Sequence, residues 1–325
     1  MLLAAWSNTS PAADLGIRGF ARESKILSSS NPPAFGQAGA PQTVNAELFL
    51  PKARGPHAAV IIVPGSDGLS AAKEGAYAQR LLQAGMAAFV VDPLRSRGID
   101  NLLHDPAVLS DAAMVEDIRA ALDFLAKDDR IDPNRIGGLG TSRGASVLMA
   151  AASRLGPEKF KALALPYPFC SLAWRLTGAT RPPQVLMLLA GREDEVSNDA
   201  CLDLAKLYVA DSVALTVEVL PGAYHGFDAG TAGTAVPTVS VKDCPLIPVR
   251  RDGTFETSVI GGAPPTAATM PELLNAMRGC MSEGAHWGET PGSRTHALAR
   301  VTDFLSAALK RSPTSSSRQR WGRAQ

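Results

Sequence analysis

The sequence predicts an α/β fold with a mainly parallel central sheet and helices on both faces. Two observations predict it. Runs of β-branched and aliphatic residues recur along the chain, and stretches with helical spacing separate them. Such alternation sets successive strands side by side through helical crossovers. The composition agrees: 325 residues, 46% hydrophobic and 19% charged, suit one large α/β domain or two small ones.

Taken in order, residues 1–40 are rich in Ala, Ser, Pro and Gly and read as an extended lead-in. "TVNAELFLP" (43–51) alternates in polarity like an edge strand. "HAAVIIVPG" (57–65) is a continuous apolar run, as expected of a strand buried on both faces. Residues 71–85 have helical spacing and a Gly stop, and "MAAFVVDP" (86–93) is the next buried strand. Residues 108–127 form a long amphipathic helix with Met114, Ile118, Ala121, Leu122 and Leu125 on one face. A short strand at Ile136–Leu139 leads into a helix over 146–155. "FKALALPYP", "PQVLMLLAG" and "ALTVEVLPG" supply three further core strands. A helix opening at Ser197 or Asn198 precedes the last of them, and residues 293–310 close the fold.

One stretch breaks the rhythm. Residues 229–290 hold two strand-like runs around Arg251-Asp252-Gly253, a hairpin signal, and read as an insertion in a single domain spanning 41–311. The tail, 312–325, is polar and basic and reads as disordered.

Bulk properties exclude several roles. A net charge of +1 advertises no basic face, so no nucleic-acid partner is expected. No apolar run approaches the roughly 18 residues of a membrane span. The start, "MLLAAWSNTSPAADLG", has a short apolar run with no preceding basic residue; it reads as an unstructured terminus, although a signal begun upstream also fits. The four cysteines, Cys170, Cys201, Cys244 and Cys280, form no C-x-x-C pair, so no metal site is expected. Their even number fits two disulfides or four buried thiols.

The chemistry gathers around "GTSRG" (140–144), which fits G-x-S-x-G at a strand-to-helix junction. There Ser142 is the candidate nucleophile, and the flanking glycines give the tight turn its room. Five histidines could serve as base. His225, in the loop after the last core strand, is placed to reach Ser142, and His286, in the insertion, is its rival. The acid belongs on the loop after the preceding strand, "GREDE", where Glu193, Asp194 and Glu195 compete. Asp194, the shorter side chain three residues after the strand-ending Gly191, is the expected partner, with both glutamates turned away if the loop is extended. For the oxyanion, the backbone N–H groups of Arg143 and Ser66 are the expected donors. The order Ser142, Asp194, His225 is that of the α/β-hydrolase fold.

These segments resemble the dienelactone hydrolase family. The resemblance rests on "VIIVPGSDGL", "AGMAAFVVDPLRSRG", "DPNRIGGLGTSRG", "LLAGREDEVSNDAC" and "LPGAYHGFD", which run in family order over about residues 45–228. It implies hydrolysis of a small-molecule carboxylic ester or lactone without a cofactor. Ser142 stands where founding members carry cysteine, which places the chain in the serine branch. Pro64 replaces a common His, and the insertion is longer than in the smallest members. Exported relatives with a similar insertion suggest Cys244–Cys280 and Cys170–Cys201 disulfides, and hence a periplasmic or secreted protein as the alternative to a cytoplasmic one. Arg97, with Arg95, either clamps a substrate carboxylate or, as preferred, fixes its own loop. Tyr224 and Trp174 are candidate pocket walls. An acyltransferase or peptidase on the same fold, a non-catalytic binding protein and a partner-binding basic tail are the rival readings; the oligomeric state is left open.

Overall fold

The computed structural model describes residues 14–310. Its centre is an eight-stranded sheet built from β1 (Ala21–Asn31), β2 (Ala40–Leu50), β3 (His57–Val63), β4 (Ala87–Asp92), β5 (Ile131–Gly140), β6 (Ala162–Pro166), β8 (Gln184–Ala190) and β9 (Leu215–Leu220). The strand order is β1-β2-β4-β3-β5-β6-β8-β9, and the two-residue β7 (Leu172–Ala173) lies apart from it. From β4 to β9 every pairing is parallel, while β1–β2 and β2–β4 are antiparallel. All seven residues of β3 are buried. Each buried Val or Ile there is worth roughly 1.5–3 kcal/mol, so the centre of the sheet carries much of the hydrophobic stabilisation.

Helices cover both faces. On one lie α1 (Ala76–Gln83) and α6 (Ser293–Ala308), packed through Leu81, Leu298 and Leu305. On the other lie α2 (Asp111–Leu125), α3 (Arg143–Leu155) and α4 (Asn198–Ala210), packed through Ile118, Leu148 and Leu204. The Ser110 and Ser197 hydroxyls accept from the third residue beyond and so cap α2 and α4.

Two expectations are corrected here. Residues 21–31 are a full strand pairing with the whole of β2, so 43–51 lies one strand in from the edge. The polar run "ARESKILSSSN" hid it, because β1 buries only Leu27; Arg22 bonded to Glu47 and Arg130 bonded to Glu23 hold it in place instead. In the insertion, the expected hairpin is reduced to a turn at Arg250–Thr254 with a single bridge between Val249 and Phe255. Its strands pair elsewhere. β10 (Thr234–Ser240) lies antiparallel to β12 (Ser282–Trp287), and β11 (Ile247–Pro248) runs parallel to β7. Between them α5 (Met270–Met277) begins with a capping box of Thr269 and Glu272. Cys244 is bonded to Cys280, just beyond α5, and Cys170 is bonded to Cys201 of α4. Among the described residues no helix is long and apolar enough to cross a membrane. The tail 312–325 and most of the first sixteen residues lie outside the described part of the chain.

Candidate active site

Ser142 occupies the sharp turn from β5 into α3 with φ 50° and ψ −119°, a backbone conformation that non-glycine residues rarely adopt. Neighbouring backbone enforces it: Ser142 N–H donates to Pro166 O at 3.1 Å, and Phe169 N–H donates to Ser142 O at 3.3 Å. The turn is crowded. A Cβ on Gly140 would lie 2.4 Å from Gly144 O, and one on Gly144 would lie 2.4 Å from Val63 O. Glycine at both positions is therefore a steric requirement.

His225 follows β9, and its Nε2 lies 2.9 Å from Ser142 Oγ. On the far side of the ring, Nδ1 lies 3.0 Å from Glu193 Oε2 and 3.2 Å from Oε1. Serine, imidazole and carboxylate thus form a continuous hydrogen-bonded chain, buried at every member. The ring is wedged edge-on against Tyr167, 4.7 Å between centroids, and Gly288 N–H donates to His225 O at 2.8 Å. The insertion therefore helps to fix the histidine.

The carboxylate on His225 is that of Glu193, not the expected Asp194. The loop is not extended. Glu193 Oε1 accepts from the N–H groups of Glu195 and Val196, at 3.0 and 3.3 Å, so the chain turns back around this carboxylate. Asp194 then faces outward and takes the N–H and Nδ1 of His286, at 2.8 and 2.7 Å. That contact also occupies the rival base, which is half exposed at the surface. Residue spacing carries no signal for this, because the turn around Glu193 is set by two backbone hydrogen bonds that leave no pattern in the sequence.

Glu195 completes the surroundings. It is buried, accepts a hydrogen bond from Trp287 Nε1, and has Oε1 3.9 Å from His225 Nε2. Burial pushes its carboxyl above the usual range, against the pull of His225. Burial likewise disfavours the imidazolium of His225, but Glu195 and Glu193 outweigh it and hold the group up at about 9.

Ser66 and Arg143 border the same pocket as Ser142. The Arg143 N–H belongs to the first turn of α3, where amides lack intrahelical acceptors. A Cβ on Gly65 would lie 3.2 Å from the Ser142 Cβ, so glycine there lets the Ser66 loop approach the nucleophile. An ion pair between Lys73 and Asp67 pins that loop, and the Thr141 hydroxyl donates to Glu74 at 3.0 Å. Behind His225, the fully buried Asp228 accepts from Tyr77 and Tyr167 hydroxyls at 2.7 and 2.5 Å. This buried network had no signature in the sequence, because its members come from four separate segments.

The weaker substrate-binding candidates lie apart from the pocket beside Ser142. The Arg97 guanidinium is buried against Asp117 at 2.8 Å and also donates to Asn31 and Pro93 O, so it fixes its own loop. Tyr224 lies between Arg192 and His286, 4.6 and 5.4 Å from its ring, and does not border the pocket beside Ser142. Trp174 is buried against Phe35, 5.0 Å between rings, and does not border that pocket either.

The family model of the dienelactone hydrolase family matches residues 44–241. Among solved structures, a dienelactone hydrolase-like promiscuous phosphotriesterase from metagenomic libraries is 15% identical, with a TM-score of 0.53 over 89% of this chain and 99% of its own. The protein called m3DLH is also 15% identical, with a TM-score of 0.54 over 88% and 98%. Est1E from Butyrivibrio proteoclasticus is 17% identical and matches 57% of this chain and 86% of its own, with a TM-score of 0.44. At such identities the first two likenesses establish the fold alone. No protein of curated function matches the chain.

Proposed function

The chain belongs to the dienelactone hydrolase family, matched over residues 44–241, and from that membership we propose a carboxylic ester or lactone hydrolase working through Ser142, His225 and Glu193. Hydrolysis of an ester bond goes with the family; the residues and steps are read from this chain. A single observation carries the reading: His225 bridges Ser142 Oγ at 2.9 Å and Glu193 Oε2 at 3.0 Å.

Neutral His225 takes the Ser142 proton on Nε2 as Oγ attacks the substrate carbonyl. Glu193 holds the Nδ1 proton, fixes the tautomer and stabilises the imidazolium that forms. The Ser66 and Arg143 N–H groups receive the developing oxyanion, each worth a few kcal/mol. Collapse of the tetrahedral adduct breaks the ester C–O bond, and Nε2 returns its proton to the leaving alcohol. Water then attacks the acyl-serine, gives a proton to Nε2, and the second collapse releases the acid and restores Ser142. The strained backbone of Ser142 holds Oγ in place throughout, so little is reorganised during the attack. The experiment is a comparison of wild type and Ser142→Ala on 4-nitrophenyl acetate. Loss of at least about 10³-fold in kcat is expected, and an unchanged rate would sink the proposal.

A further inference from the structure

Beside Ser142 the molecule encloses a pocket of about 80 Å³. Leu103 and Phe169 border it together with Val239, Met270, Leu273 and Met277 of the insertion. The insertion therefore supplies part of the pocket wall, with α5 tied down through Cys244–Cys280.

The charges on this wall are asymmetric. Asp111, Arg143 and Glu195 are the ionisable side chains that border it among the described residues. The Arg143 guanidinium is already committed: it pairs with Asp111 at 2.8 Å and donates to Pro106 O and Leu109 O at 2.9 and 2.5 Å. Among the described residues Glu195 pairs with no Lys or Arg, and His225 Nε2 lies 3.9 Å from its Oε1. Arg97 is buried against Asp117, and neither it nor Arg95 borders this pocket. A substrate carboxylate entering here would lose its water, gain no cation and face Glu195.

We propose that this site takes uncharged esters, seating an apolar group against the insertion wall, and that Glu195 turns away esters with a carboxylate at that end. The proposal rests on the ester-hydrolase reading and narrows its substrate class. Glu195 acts here as a specificity determinant: it faces the substrate group and does not enter the bond-making steps. A neutral alkyl chain can lie against the Leu, Met, Val and Phe surface, whose burial favours it.

The test uses two matched pairs of synthetic esters with background hydrolysis subtracted. One pair, 4-nitrophenyl hexanoate and the mono-4-nitrophenyl ester of adipic acid, differs by a carboxylate on the acyl side. The other, phenyl acetate and 4-acetoxybenzoate, differs by one on the alcohol side. In the pair whose variable end enters the pocket, kcat/KM favours the neutral ester by about tenfold or more. Glu195→Gln keeps the side-chain shape and an acceptor for Trp287, and it narrows that ratio several-fold. Leu273→Trp, which fills the pocket, lowers the rate on hexanoate more than on acetate. Equal rates within both wild-type pairs would overturn the proposal, and so would a Glu195→Gln ratio equal to that of wild type. If no ester were hydrolysed at all, the ester-hydrolase reading itself would fall, and the two failures remain distinct.

Discussion

Replacing Glu193 by Gln tests the site at its least expected member. The carboxylate is 2% exposed and lies 3.0 Å from Nδ1. With an effective dielectric of about 20, a unit charge at that distance is worth roughly 5–6 kcal/mol to the imidazolium. Glutamine retains one hydrogen bond to the ring, and Glu195 remains 3.9 Å from Nε2, worth roughly 4 kcal/mol on the same scale. Full loss of an orienting carboxylate costs about 10⁴ in kcat, so with Glu195 in place Glu193→Gln should cost about 10²–10³. Asp194→Asn removes only a surface bond to His286, which is 51% exposed, and should stay within about threefold of wild type. Steady-state kcat on a nitrophenyl ester, with circular dichroism to confirm folding, reads both. If Asp194→Asn lost a hundredfold while Glu193→Gln kept its activity, the assignment of the acid would be wrong.

Other expectations follow from the same geometry. Because His225 is held up at about 9, kcat/KM should climb with pH to a midpoint near that value. The same raised pKa stabilises the fold fully below the ordinary value near 6.5, and that contribution is lost as pH rises through about 9. Thermal melting of wild type and His225→Gln across that window checks the sign. Arg97→Ala strands a buried Asp117 and should cost about 3–5 kcal/mol in denaturant unfolding while kcat/KM moves little; a large rise in KM without loss of stability would restore a substrate role. Gly144→Ala places a methyl 2.4 Å from Val63 O, so about 1–3 kcal/mol of stability and most of the activity should go together. Replacing Cys244 and Cys280 by Ser frees a loop of 36 residues, which should lower unfolding stability by about 2–4 kcal/mol.

The parallel core was legible because β3, β4, β6 and β8 are buried on both faces and so read as unbroken apolar runs. β1 was not, since most of its residues are polar and it buries only Leu27, with ion pairs such as Arg130–Glu23 tying it to the rest of the fold. Within the insertion the turn at Asp252-Gly253 was visible, but strand partners distant in sequence were not: β10 pairs across more than forty residues with β12. Ser142 and His225 could be placed because each has one suitable position relative to the sheet. The acid could not, because three adjacent carboxylates differ only in how the loop turns. Two backbone bonds to Glu193 decide that turn, and residue spacing does not reveal them.

The central claim is that Ser142 is a nucleophile activated by His225. Its most direct measurement is reaction of the folded protein with a fluorophosphonate ester, followed by peptide mapping by mass spectrometry. The account predicts a single phosphonyl adduct on Ser142, formed faster as pH rises toward 9 and abolished in His225→Ala. An adduct on another residue, or labelling of Ser142 at the same rate without His225, would contradict it.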